Sequence, residues 1–163
     1  MSAPLPASGA LTTVGWREWV AFPDLGLPAV RCKVDTGAAT SSLHASRIET
    51  FERDGEPWAR FVVRPFFRRH RQVRVRCEAP IVDERHVRSS SGHEDLRIVV
   101  GVTLRLGVRS DAPQWPIEVT LADRASMQFP MLLGREAMKG RVAVDPGASF
   151  LLGHVEHAAA LYE

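Results

Sequence analysis

Residues 34–43 read Val-Asp-Thr-Gly-Ala-Ala-Thr-Ser-Ser-Leu and carry one carboxylate, Asp35, after an apolar approach through Ala29-Val30 and Val34. A strand that delivers a carboxylate into a tight turn suits the activation of water against an amide. Thr36 offers a hydroxyl to hold the turn, and Gly37 lets the backbone bend. Where carboxylates alone do this chemistry, two share one proton, one as base on water and the other as acid. The chain contains a single Asp-Thr-Gly and shows no internal repeat. Asp145 is a poor second half, because Asp145-Pro146-Gly147 is a plain turn signal and Pro146 has no hydroxyl. The second carboxylate is therefore expected from Asp35 of another copy, in a two-fold homodimer whose pair titrates jointly.

Other chemistries find weaker support. The one close histidine pair, His154-Val155-Glu156-His157, has its Glu misplaced for a helical His-Glu-x-x-His zinc site, and His44, His70, His86 and His93 are scattered. No Gly-rich loop ends in Gly-Lys-Ser/Thr, the usual cradle for nucleotide phosphates. The expectation is thus no metal and no cofactor. Nineteen arginines against two lysines, Lys33 and Lys139, give a chain rich in forked donors for carboxylate or phosphate. Seven of them fall between Arg60 and Arg76 with no acidic residue among them. That stretch reads first as a solvated loop, then as a face for an acidic tail. Nucleic acid is less favoured, because Phe66-Phe67 is the only aromatic pair interleaved there.

These residues must be positioned by short strands. Candidates are 14–21, 29–35, 59–64, 72–77, 96–106, 117–121, 142–144 and 149–152, rich in β-branched and aromatic residues. Turn signals separate them at Pro23-Asp24-Leu25-Gly26, Arg53-Asp54-Gly55-Glu56 and Asp145-Pro146-Gly147. Helical periodicity is confined to Arg135–Lys139 and a fraying end at 156–162. The pattern predicts a mostly-β domain closed or strongly curved into a barrel.

With 163 residues and a hydrophobic share of 45%, the chain suits one domain with its own core. No apolar run nears the ~20 residues of a membrane span. Residues 1–13, rich in Ala, Pro, Ser and Gly, read as a loose tail rather than a leader. Cys32 and Cys77 are too few for a disulfide scaffold and read as small core residues, which makes a cytoplasmic setting the default.

Val14–Val20, Lys33–Ala38 with Thr40–Ala45, Val87–His93 and Leu132–Met138 together resemble a bacterial and archaeal family labelled "ATP-dependent zinc protease". Its members are retropepsin-like and often sit beside ATP-grasp glutamate ligases. The resemblance covers residues 14–153 and implies an all-β, retropepsin-like closed barrel with a flap hairpin and one short helix. It implies an aspartic-type peptidase with Asp35, Thr36 and Gly37 as its catalytic loop, and Leu132-Leu133-Gly134-Arg135 packed beneath. It places Lys33 in the wall beside the scissile bond, where an apolar residue is usual, so that an acidic substrate side chain would be favoured. Ala38 and Arg135 would also line the substrate site. The flap would fall in 83–101, with Arg88, Ser89, Ser90, Ser91, Gly92 and His93 at its tip. Ala39 stands where retropepsins often have an acidic partner for the Arg of Gly-Arg, which leaves Arg135 to find another. The expected organisation is a tail at 1–13, the domain at 14–155 and a tail at 156–163, acting on acidic peptides. A non-catalytic module that binds acidic tails or an ATP-grasp ligase is the alternative.

Overall fold

The computed structural model describes residues 10–88, 92, 94–123 and 128–163, with only the backbone of 87, 88, 94 and 95. Eleven strands are present among them: β1 (Thr12–Val14), β2 (Arg17–Phe22), β3 (Leu27–Val34), β4 (Ser41–His44), β5 (Ser46–Arg53), β6 (Glu56–Val63), β7 (Val75–Arg88), β8 (Glu94–Arg105), β9 (Gln114–Ala122), β10 (Met131–Leu133) and β11 (Val142–Val144). One short helix, α1 (Arg135–Met138), follows β10. The all-β expectation holds, and so does the closed barrel.

Closure follows the order β2-β3-β10-β4-β9-β8, with β8 returning to β2 through the Ala21–Arg105 pair. A closed ring leaves these six strands no free edge to pair with another chain. The ring is pinned where it closes. Pro23–Leu25 form a 3-10 turn ended by Gly26 at φ 69°, and the Asp24 carboxylate accepts the Thr103 amide of β8 at 2.8 Å. From β8 the sheet runs on through β7, β6 and β5. The β5–β6 hairpin turns at Asp54 and Gly55, both left-handed, as Asp-Gly predicts. Outside the ring, β1 and β11 pair in parallel.

The core fills from alternate positions. Val30, Cys32 and Val34 of β3, Leu43 of β4, Leu104 of β8, and Met131 and Leu133 of β10 are buried. Each of the Val, Leu and Met side chains contributes about 1.5–3 kcal/mol by leaving water. Phe61 and Cys77 extend the same core into β6 and β7.

Several boundaries differ from the sequence reading. β7 starts at Val75 rather than 72 and continues to Arg88, because its charged distal half is supported by pairing with β8 rather than by burial. Residues 149–152 are not a strand: the amides of Leu151 and Leu152 point at the Glu18 carboxylate, so they form no ladder. β4, β5 and β10 add to the predicted set, and the predicted strand 14–21 divides into β2 and the end of β1, which begins at Thr12. The last residues form a 3-10 turn, Ala158–Tyr162, and the Tyr162 hydroxyl donates to the Ala29 carbonyl.

Cys32 and Cys77 are buried free thiols, and burial pushes each pKa up to about 12. At pH 8 only about one thiol in ten thousand would be thiolate, so alkylation of the native protein should be negligible and become complete in denaturant. Unfolded thiols ionise near 9.0 and folded ones near 12, so their stabilising effect is full below pH 9 and is lost as pH rises toward 12. Thiol titration with and without denaturant checks the first point, and unfolding midpoints across that alkaline range check the second.

Candidate active site around Asp35

β3 buries Val30, Cys32 and Val34, so its alternate residues, Arg31 and Lys33, face outward. Asp35 continues that outward series. Its amide donates to the Leu133 carbonyl at 2.9 Å, extending the parallel pairing of β3 with β10 by one bond beyond the strand. The carboxylate is half-buried, and its Oδ1 accepts the Gly37 amide at 3.0 Å. That bond closes the turn, a part the sequence reading gives to the Thr36 hydroxyl. Thr36 is instead exposed at the rim of the loop.

The loop after Asp35 is held from below. The amides of Arg135 and Glu136, at the start of α1, donate to the Ala38 and Ala39 carbonyls at 2.7 and 3.0 Å. The Gly134 amide donates to the buried Ser41 hydroxyl at 3.0 Å. The Arg135 guanidinium donates to the Thr36 carbonyl at 3.1 Å, so this arginine finds a backbone partner where Ala39 offers no carboxylate. Glycine is required at 134: an added Cβ would lie 2.5 Å from the Thr40 carbonyl. The Trp115 indole donates to the Ala137 carbonyl and ties α1 to β9.

A second anchor was not legible in the sequence. Glu18, on β2, is buried with 1% exposure, and its carboxylate accepts the amides of Gly15 (2.7 Å), Leu151 (2.9 Å) and Leu152 (3.1 Å). These bonds fix the corner between β1 and β2. The corner in turn accepts the Val34 amide on the Trp16 carbonyl at 2.8 Å, one residue before Asp35. An acidic residue between two tryptophans of a predicted strand, in Trp16-Arg17-Glu18-Trp19-Val20, was the available signal.

Of the remaining predicted site residues, Lys33 is exposed on the same face as Asp35, and Ala38 is half-buried in the loop. The predicted flap is the distal β7–β8 hairpin, with Arg88 opposite Glu94. Gly92 is exposed at φ 86°, a conformation suited to a hairpin tip. Ser89, Ser90, Ser91, His93 and the Arg88 side chain lie outside the described residues. Asp145 accepts the Gly147 amide at 3.0 Å in its own turn.

Comparison with known proteins adds the following. Residues 13–154 match the profile of a family described as "Retropepsin-like aspartic endopeptidase RimB". Proteins named "Probable alpha-L-glutamate ligase" are similar in sequence. One from Desulfotalea psychrophila is 46% identical over 87% of this chain and 30% of its own length, and one from Parasynechococcus marenigrum is 50% identical over 86% and 29%. The chain thus spans about a third of these relatives. A crystal structure of Lpg0085, a protein of unknown function from Legionella pneumophila, matches with a TM-score of 0.70 at 29% identity, covering 88% of this chain and 99% of that one.

Replacing Gly134 by Ala should lower the unfolding free energy by about 1–3 kcal/mol and loosen the Asp35 loop, because neither backbone can give way. Glu18→Gln should cost about 1.5–3 kcal/mol by weakening three charge-assisted bonds, one to a buried amide and two to part-buried ones. Urea unfolding of both variants against the wild type checks the two values.

Proposed function

The chain belongs to the RimB-like family of retropepsin-like aspartic endopeptidases, and from that premise we propose that it is an aspartic-type amide hydrolase for acidic, Glu-rich peptides. Asp35 is its reacting carboxylate, and a second copy of the chain supplies the other one. The observation that carries this reading is the geometry of the loop. A half-buried carboxylate is fixed by an amide on one oxygen and presented on an outward face beside small residues, of which Gly37, Ala39 and Thr40 are exposed and Ala38 is half-buried. Small residues let two such loops approach until the carboxylates share a proton.

The reaction follows from that pair. The ionised Asp35 takes a proton from water as its oxygen attacks the amide carbon, giving a tetrahedral intermediate. The protonated Asp35 of the other copy gives its proton to the amide nitrogen, the C–N bond breaks, and an acid and an amine leave. The β7–β8 hairpin, as a flap, would shield the substrate and the attacking water from bulk solvent. Arg135 and Gly37 position the loop, and Lys33 supplies a cation on the same face. That cation supports acidic substrates, as does similarity to proteins named for glutamate ligation, an amide-forming reaction. A glutamate ligase is accordingly proposed as the functional partner.

The same similarity favours a second reading, a module that binds acidic tails beside a ligase without cutting, because the matched part is about a third of those relatives. Asp35→Asn separates the two. Hydrolysis of oligoglutamate should fall about 10²–10⁴-fold with the fold and binding intact, whereas unchanged function supports the module. Mixing wild type with excess Asp35→Asn chains, after exchange of subunits, should lower activity as the square of the wild-type fraction. A linear fall would rule out the shared pair. Lys33→Met should reduce the preference for acidic over apolar peptides by about tenfold. Equal preference in variant and wild type removes Lys33 from specificity.

A further inference from the structure

Beside the outward face of β3 opens a cleft of about 510 Å³. Its walls are largely aromatic, with Trp16, Trp19, Phe66, Phe67 and Phe129 among them. Four arginines line it as well: Arg17 from β2, Arg31 from β3, and Arg68 and Arg69 from the loop between β6 and β7. Among the described residues no carboxylate lines the cleft, and none of these arginines is in an ion pair.

Two of the four, Arg17 and Arg31, are held by their faces rather than by counter-charges. The Arg17 guanidinium stacks 4.8 Å from the Trp16 ring and 4.9 Å from Phe150, and its Nε donates to the Ser149 hydroxyl. The Arg31 guanidinium stacks 5.2 Å from Phe129. Stacking leaves the N–H edges of the forks available for bidentate bonds to an oxyanion. Partial loss of water at the cleft wall, and then the nearby charges of Arg17 and Arg68, hold the pKa of the still exposed Arg31 below its ordinary value. A bound anion would relieve that repulsion.

The cleft is not independent of Asp35. Arg31, Lys33 and Asp35 succeed one another at every second residue along the same face. At about 3.3 Å per residue, Arg31 lies about 13 Å behind Asp35. An extended peptide lying along this face covers that distance in about four residues.

We propose that the arginine–aromatic cleft is a remote anionic subsite, gripping a carboxylate side chain about four residues from the bond held at Asp35. The proposal rests on the reading of Asp35 as a hydrolytic carboxylate acting on acidic peptides, and it adds a length and a register to that reading. The aromatic walls limit water around the ion pair, which strengthens it. The alternation of Arg31, Lys33 and Asp35 makes an acidic peptide the favoured occupant over a free phosphate, which would need no such alignment.

The test uses the full chain in two forms. In Asp35→Asn, binding of octaglutamate and of octaglutamine is measured by calorimetry, with inorganic phosphate as competitor. Octaglutamate should bind, octaglutamine should not, and Arg31→Gln in that background should weaken binding about ten- to a hundredfold. In the active chain, a single Glu is moved along a neutral peptide around the cut bond. Arg31→Gln should lower kcat/KM only when that Glu is about four residues away. An unchanged kcat/KM at every Glu position, an equal loss for octaglutamine, or phosphate binding that leaves octaglutamate undisturbed would overturn the subsite. Arg31-dependent binding of octaglutamate with no cleavage of any peptide by the wild type would support the cleft and overturn the hydrolytic reading alone. Far-ultraviolet circular dichroism and urea unfolding of Arg31→Gln should match the wild type, since Arg31 is exposed.

Discussion

The arrangement depends on the contact of two backbones, at Gly134 and Thr40. The space between them is smaller than a methyl group, and it is crossed by a bond from the Gly134 amide to the Ser41 hydroxyl. Around this contact the first amides of α1 find carbonyls in the Asp35 loop, at Ala38 and Ala39. A short helix ordinarily leaves such donors to solvent or to capping side chains. Here they serve as the floor of the loop. The carboxylate at its rim is thereby fixed by main-chain bonds and does not rely on long side chains, whose ordering would cost entropy.

The floor would be of little use if β3 could shift against it. Two features hold β3 in place. On one side it pairs with β2, whose corner is tied down by Glu18; on the other it pairs with β10. A buried carboxylate with three amide donors is costly to desolvate and stabilises only because its lone pairs are occupied. Its effect is to join the start of the chain, its C-terminal arm and the strand leading to Asp35 at one point. The outward face of β3 then behaves as a rigid ruler, with a carboxylate at one end and guanidinium groups at the other.

Local signals were legible in the sequence and long-range ones were not. The 3-10 turn at Pro23–Leu25, the Asp54-Gly55 hairpin and α1 depend on a few adjacent residues and could be read directly. β3 was legible because its buried and exposed residues alternate. β4 and β10 have four and three residues, too few for periodicity to distinguish them from loop. Residues 149–152 have the composition of a strand, but a carboxylate more than a hundred residues away takes their amides. At the site, Asp35 and Gly37 were evident from type and spacing. The part assigned to Thr36 belongs to the Gly37 amide, because a hydroxyl on an exposed rim has no reason to turn inward. Arg31 stood two residues before Lys33 in plain alternation, but its meaning depends on Arg17 and Arg68, which only the fold brings near it.

The insertion of β10 between β3 and β4 has a consequence for the birth of the protein. Thr36 and Arg135, which meet beneath the loop, are 99 residues apart in the chain. When Asp35 leaves the ribosome, the strand that receives its amide has yet to be made. Long-range pairing of this kind is slow to nucleate, because the loop must be closed before any contact rewards it. The stretch up to residue 130 therefore carries the acidic residue without its platform. The loop takes its shape late, once residues 133–136 are made, and a product that stops short of them would keep the motif yet lack that shape.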